Sequence, residues 1–284
     1  MILRIKKRNI IILLLVLLIV PIVFASQVIQ YFTVLVSMTN HEPTIFYVNV
    51  TNVTLVAGSI ATIDILFNVS DSDGFGDLND STAGVNVTFN GVSRGNSSCN
   101  PTDYNTNYTQ YACKVSFYYY DNASTSWVVN TTVADNSGNT SRNDTNNLQV
   151  KSLSSMSIVT NLTFTSIAVG QQDATPTTNF MLNNTGNFDF TGINMTAYDL
   201  TGVSDSTKIL GAGNFTINTT NAVAGSGIQL QNGTSLNITG ATLPHKTSAS
   251  DISSNKTIYF WLDVPTTLTV QNYNSTTTWA ITVN

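Results

Sequence analysis

Charge is scarce in this chain. Only 10 % of its 284 residues are Asp, Glu, Lys or Arg, against about a quarter in an ordinary globular protein. Glutamate is nearly missing: Glu42 stands alone beside fifteen aspartates. Asp is a poor helix former and a frequent turn residue. Histidine is limited to His41 and His245, each close to a proline in a turn-like context, where a solvated loop role is the ordinary one. No G-x-S-x-G, H-E-x-x-H, C-x-x-C or glycine-rich phosphate loop occurs, so the common nucleophile, zinc and nucleotide signatures are lacking. A glycosidase-type carboxylate pair would have to be two aspartates, and nothing marks which. No enzyme is expected. An Asp-based hydrolase remains the minor alternative, to be raised by two Asp carboxylates sharing a cleft.

Basic residues are few and uneven. Of 11 cations, four (Arg4, Lys6, Lys7, Arg8) fall in the first eight residues; the other 7 face 16 acids, 7 − 16 = −9. That excludes a basic nucleic-acid footprint. Asn, Ser and Thr do the solvating instead, which suits a protein kept soluble outside a cell.

Long apolar runs are confined to the start. After the four cations, residues 10–20 are unbroken apolar, Pro21 follows, and Val23-Phe24-Ala25 ends the segment. That is the order of a secretory signal, and the run is short for a membrane span of about 20 residues. Residues 1–25 therefore read as a cleaved signal or as a retained anchor, and the anchor would be the chain's contact with a membrane. Either places the remainder outside the cytoplasm, at an extracellular or cell-surface location. Residues 28–38 (Val28 to Met38) stay apolar on both alternating faces, as a strand buried on both sides does. Residues 26–39 are expected to form a first strand, to extend the anchor, or to donate a strand to a neighbouring subunit through Val28, Phe32, Val34 and Val36.

What is plentiful favours strands: Thr, Val, Ile, Tyr and Phe. Strand-like runs at 44–56, 61–69, 84–89, 111–119, 127–133 and 148–151 are bounded by Gly, Asn, Asp or Ser. Turn signals at such spacing predict a β-sandwich over residues 40–151. Further runs at 156–165, 180–184, 193–199, 215–218, 228–231, 236–242, 256–264 and 279–283 predict a second sandwich over 152–284. The fold class is all-β. Cys99 and Cys113 are the only cysteines; outside the cytoplasm two nearby cysteines pair. The bridge would staple the polar, turn-rich segment 100–107.

Asp71-Ser72-Asp73-Gly74-Phe75-Gly76-Asp77-Leu78, followed by Ser126-Trp127-Val128-Val129-Asn130 and Ala134-Asp135-Asn136-Ser137-Gly138-Asn139, resembles the immunoglobulin-like domains of bacterial and archaeal surface proteins. These carry an acidic Gly loop early and a tryptophan strand ending in a D-N-x-G-N turn late. The resemblance covers residues 40–150 and implies a fold, not an activity. Asn183-Asn184-Thr185-Gly186-Asn187 and the ending around Trp261, Tyr273 and Trp279 are similar, more weakly, to adhesion-related β-sandwich domains of archaeal exported proteins.

Glycosylation sequons are the most abundant motif. N-x-S/T begins at Asn49, Asn52, Asn68, Asn79, Asn86, Asn96, Asn107, Asn122, Asn130, Asn139, Asn143, Asn161, Asn183, Asn194, Asn214, Asn218, Asn232, Asn237, Asn255 and Asn274. Chance composition gives about nine. In a strand, residues i and i+2 share a face, so a polar outer face of Asn and Thr makes sequons by itself. An outward Asn on an exported chain is also what a glycosyltransferase reaches, and several are expected to be modified.

The 71–80 loop offers hard oxygen ligands in a glycine-turned segment, as Ca²⁺ requires. Asp71, Asp73, Asp77 and Asp80 are the candidate ligands. The twelfth position of an EF-hand pattern is Thr82, so that pattern fails, and a plain turn is the competing reading. Phe117-Tyr118-Tyr119-Tyr120 reads as an aromatic strand; a carbohydrate-binding surface using Tyr118, Tyr119, Tyr120 or Trp127 is the alternative, with polysaccharide as partner. The reading that unites these features is an exported, glycosylated structural or adhesive surface protein whose partners are the cell envelope or neighbouring copies of itself.

Overall fold

In a computed structural model of the chain, residues 30–105, 107–158, 161–221 and 226–283 are described. The expected signal or anchor, residues 1–25, and Val28 lie outside them. The described residues divide between two units, with the boundary between Asn40 and His41. Among the described residues no helix is long and apolar enough to cross a membrane.

The protein is all-β, with antiparallel sheets and, among the described residues, two single 3₁₀ turns, Phe75–Asp77 and Ala212–Asn214. Eight strands precede residue 151: β1 (Thr44–Asn49), β2 (Ile60–Ser70), β3 (Leu78–Phe89), β4 (Val92–Asn96), β5 (Asn100–Tyr104), β6 (Thr109–Tyr118), β7 (Ser124–Asp135) and β8 (Thr140–Val150). They form two four-stranded sheets. Sheet A has the order β1-β2-β6-β5 and sheet B the order β4-β3-β7-β8. The alternation in β6 shows why. Tyr111, Cys113, Val115 and Phe117 are buried, while Lys114 and Ser116 between them are exposed. Period-two burial from both sheets fills one core, a sandwich-like arrangement. At its centre Trp127 is fully buried, with Phe89 and Phe117 rings each 5.5 Å away. The Trp127 Nε1–H donates to the Asn122 carbonyl at 3.0 Å, which satisfies the indole's polar atom.

Cys99 and Cys113 form a disulfide, with Cα atoms 4.5 Å apart. It holds β5 against β6 at the edge of sheet A. Residues 100–104 were expected as loop. Their sequence, Asn-Pro-Thr-Asp-Tyr, has no apolar alternation, yet β5 pairs with β6 there across a bulge. An edge strand needs only one hydrogen-bonding side, so Pro101 is tolerated.

After residue 155 the strands are shorter. They are β9 (Met156–Ile158), β10 (Phe180–Asn184), β11 (Ile193–Thr196), β12 (Leu200–Gly202), β13 (Ile209–Leu210), β14 (Phe215–Asn218), β15 (Ile228–Gln229), β16 (Ser235–Asn237), β17 (Asn255–Leu262), β18 (Tyr273–Ser275) and β19 (Ala280–Val283). They make one five-stranded sheet (β15-β14-β17-β10-β9) and two of three strands (β16-β11-β19 and β13-β12-β18). A second hydrophobic cluster, including Leu182, Ile193, Phe215, Ile217 and Phe260, lies among them.

The two clusters are joined through the Asn183–Asn187 turn. Asn187 is buried; its Oδ1 accepts from Leu153 N at 2.7 Å, and its Nδ2 donates to the carbonyls of Asp121 (2.7 Å) and Lys151 (3.2 Å). Gly186 makes this approach possible: a Cβ there would stand 2.0 Å from the Leu153 carbonyl oxygen. His245 adds a side-chain contact, Nε2 to Asn122 Oδ1 at 3.2 Å.

Residues 30–39 correct an expectation. They form no strand, and Tyr31, Phe32, Val34, Leu35, Val36 and Met38 are 69–91 % exposed. Propensity makes a strand possible, but a strand exists only where another offers backbone hydrogen bonds. Among the described residues none does so here.

Candidate metal centre

The loop from β2 to β3 winds tightly. Asp71 Oδ1 accepts from Asp73 N at 2.8 Å, Gly74 N donates to Asp71 O at 3.1 Å, and Asp77 N donates to Gly74 O at 3.0 Å. The result brings one carboxylate oxygen from each of Asp71, Asp73 and Asp77 within 4.8 Å of the others.

A second motif closes on this loop. Leu78 on β3 pairs in register with Asp135 at the end of β7. The turn that follows then donates from Asn136 N to Asp77 O at 2.8 Å and from Asn136 Nδ2 to Gly76 O at 3.2 Å. Asp135 is buried, and Asn139 donates to both of its oxygens, from N at 2.8 Å and Nδ2 at 2.9 Å. The two segments that carried the sequence resemblance, 58 positions apart from Asp77 to Asp135, thus form one acidic corner.

Its electrostatics are unfavourable without a cation. Desolvation, then the charges of Asp135, Asp71 and Asp73, push the Asp77 carboxyl above its ordinary value. Asp73 is held below its ordinary value, first by the His41 backbone N–H at 2.6 Å and then by the His41 ring, Nδ1 at 3.2 Å. Asp71 Oδ2 and Asp77 Oδ2 are buried and accept no hydrogen bond. A buried acceptor without a donor costs about 1–3 kcal/mol, more when charged. Carboxylate oxygens clustered without donors are the set a hard cation such as Ca²⁺ takes. Asp71 and Asp77 each present such an oxygen, while Asp73 would have to share its carboxylate with His41, and the rest of the roughly six to eight ligands would be water or backbone oxygen. Asp135 adds negative field, its own oxygens being occupied by Asn139.

Asp80, expected as a fourth ligand, sits elsewhere. Its Oδ1 accepts from the Tyr111 hydroxyl at 2.6 Å and its Oδ2 from that of Tyr104 at 2.8 Å. Burial, then this bond, pushes the Tyr111 phenol well above the usual range. Sequence spacing placed Asp80 with the loop; β3 begins at Leu78 and turns its carboxylate toward the tyrosines of sheet A. Asp135 was missed as part of the corner. Its D-N-x-G-N motif was visible, but its position against the loop depends on β3–β7 pairing.

Trp127 is in the core, so the carbohydrate reading loses that residue. Tyr120 is buried too; Tyr118 stacks on it at 5.2 Å, with the Arg94 guanidinium 4.7 Å from the Tyr118 ring. Arg94 in turn pairs with the buried Asp121. This aromatic cluster is a packed support, with Tyr119 half-buried beside it.

The sequon asparagines all reach the surface. Asn49, Asn52, Asn86, Asn107, Asn139, Asn161, Asn232, Asn237, Asn255 and Asn274 are exposed; the other ten are half-buried. The buried asparagines among the described residues, Asn184 and Asn187, begin no sequon, Asn184 being the middle residue of the one at Asn183. No protein-family model matches the chain, and neither curated proteins nor solved structures gave a match.

Proposed function

We propose that this is an exported, N-glycosylated structural or adhesive protein of a cell surface: a component of an envelope, surface array or extracellular filament. On this reading it has two tandem immunoglobulin-like sandwiches after a signal or anchor. The observation that carries it is a separation among asparagines: every Asn that begins a sequon is at least partly exposed, and the buried ones, Asn184 and Asn187, begin none. The Cys99–Cys113 disulfide fits an oxidising compartment. Ca²⁺ held by Asp71, Asp73 and Asp77 would stiffen the β2–β3 loop, which Asn136 ties to the β7–β8 turn. The function then lies in surface contacts. Residues 30–38, apolar and exposed, are where contact with neighbouring copies would act, through Phe32, Val34 and Val36.

Intact mass and peptide mapping of the native protein test this. A mature start at Ser26 with sugar-bearing asparagines is the expected result. A start at Met1 with sugars would make it a membrane-anchored surface protein and remove the released-filament form. Cytoplasmic protein with bare asparagines would sink the whole reading.

A further inference from the structure

We infer that Asn86 is a glycan attachment site whose first sugar is seated in a trough on the outer face of sheet B, making the glycan part of that face's packing. This rests on the export reading above. Strands β4, β3 and β7 surround an open depression of about 440 Å³ lined by Gly84, Asn86, Ser93, Gly95, Asn96 and Asn130, among others. The lining includes no charged or aromatic side chain, so its complement is a neutral ligand rich in hydrogen-bonding groups, as a saccharide is.

The trough exists because side chains are excluded from it. Gly95 lies directly opposite Asn86 in the β3–β4 register. A Cβ at Gly95 would stand 2.7 Å from the Val85 carbonyl oxygen, so no other residue fits without moving the strand.

Three sequons border this trough, beginning at Asn86, Asn96 and Asn130; Asn96 pairs with the buried Val85, so its side chain turns away from the outer face, and the local bonding separates the others. Asn96 is tied at both ends of its amide: Nδ2 donates to Lys114 O at 3.2 Å and Oδ1 accepts from Ser98 N at 2.9 Å. Asn130 is half-buried at the floor, its Oδ1 enclosed and without a donor. Asn86 is exposed and held only through its oxygen, which accepts from Ser93 Oγ. Its Nδ2, the atom that is glycosylated, is left available. Thr88, the sequon hydroxyl, is on the same face of β3.

The transfer needs a lipid-phosphate-linked oligosaccharide and a separate transferase. A bond forms from Asn86 Nδ2 to the anomeric carbon and the anomeric carbon–oxygen bond breaks. The lipid phosphate leaves with the electron pair, and the amide proton passes to a base of the transferase. Asn130 pairs with Asn86 across β3 and β7. Rotation of its amide, a soft terminal torsion, turns Oδ1 toward the trough, where a sugar hydroxyl supplies the missing donor.

The test is site-resolved mass spectrometry of the exported protein, with thermal unfolding of Thr88→Ala, which removes the sequon and keeps Asn86. Asn86→Gln is the second variant. The expected result is sugar on Asn86, bare Asn96 and Asn130, and a Tm lowered by loss of the Asn86 glycan. Loss of the glycan at Asn49, by Thr51→Ala, should leave Tm unmoved. Sugars elsewhere with a bare Asn86 would overturn this inference and leave the surface-glycoprotein reading standing. Sugars on no asparagine would overturn both. A modified Asn86 whose loss leaves Tm unchanged in both variants would overturn the seating.

Discussion

Removing and restoring Ca²⁺ should move the stability of this protein, and the Asp77→Asn variant should separate charge relief from ion binding. The Asp71, Asp73 and Asp77 oxygens lie within 4.8 Å of one another, and like charges this close repel, the more so where water is excluded. Asp73 is exposed, so water screens its share; the half-buried Asp71 and Asp77 retain more. Extracellular Ca²⁺ modules bind with Kd of about 10⁻⁴–10⁻³ M. A site at the tight end, in about 10 mM Ca²⁺, gains about 2.7 kcal/mol, or a Tm rise of roughly 5–10 °C. Differential scanning calorimetry of chelator-stripped protein, titrated with Ca²⁺ and separately with Mg²⁺, reads this directly. Mg²⁺ should act more weakly because it gives up its waters reluctantly. Asp77→Asn should raise Tm in chelator and abolish the Ca²⁺ response. An unchanged wild-type Tm in Ca²⁺, with Asp77→Asn neutral or destabilising in chelator, would refute the site and make the loop a plain connection.

Other outcomes follow from the same structure. Reducing Cys99–Cys113, whose sequence separation is 14, should lower stability by about 3 kcal/mol on the chain-entropy model, read by urea denaturation with and without reductant. Asn187→Ala would leave the Asp121 and Lys151 carbonyls and the Leu153 N–H without their partner; a loss of about 1–3 kcal/mol and faster amide exchange at residues 151–155 are expected. The Asp189 carboxyl is held below its ordinary value, first by the backbone N–H of His245 at 2.8 Å and then by its ring at 2.6 Å. A lowered carboxyl stabilises above its unfolded value and loses that share as pH falls through the folded one. Wild type should therefore lose stability more steeply than Asp189→Asn below about pH 4, in fluorescence-monitored acid unfolding; equal slopes would show that this pair is not coupled to folding.

Local patterns were read with varying success. Phe180–Asn184 and Phe215–Asn218 were placed to the residue because each carries alternating apolar positions between clear turn signals. β4 and β5 went unread: Gly95, Asn96, Asn100 and Pro101 carry no periodic signal, and both are edge strands. For residues 30–38 only the in-chain strand, one of three readings, is set aside. Their apolarity favours a strand, yet residues 30–39 form none, since propensity cannot supply a hydrogen-bonding partner.

By itself the sequence determined the all-β class, a closable cysteine pair and an outer surface of Asn and Thr, because composition and a period of two are local properties. Only the tertiary structure decided which aspartates converge. It took Asp80 away to Tyr104 and Tyr111 and brought Asp135 in beside Asp77. It also chose Asn184 and Asn187 as the buried amides and opened a trough opposite Asn86. Each of these depends on strand register between distant segments, where a shift of one residue turns every side chain to the other face.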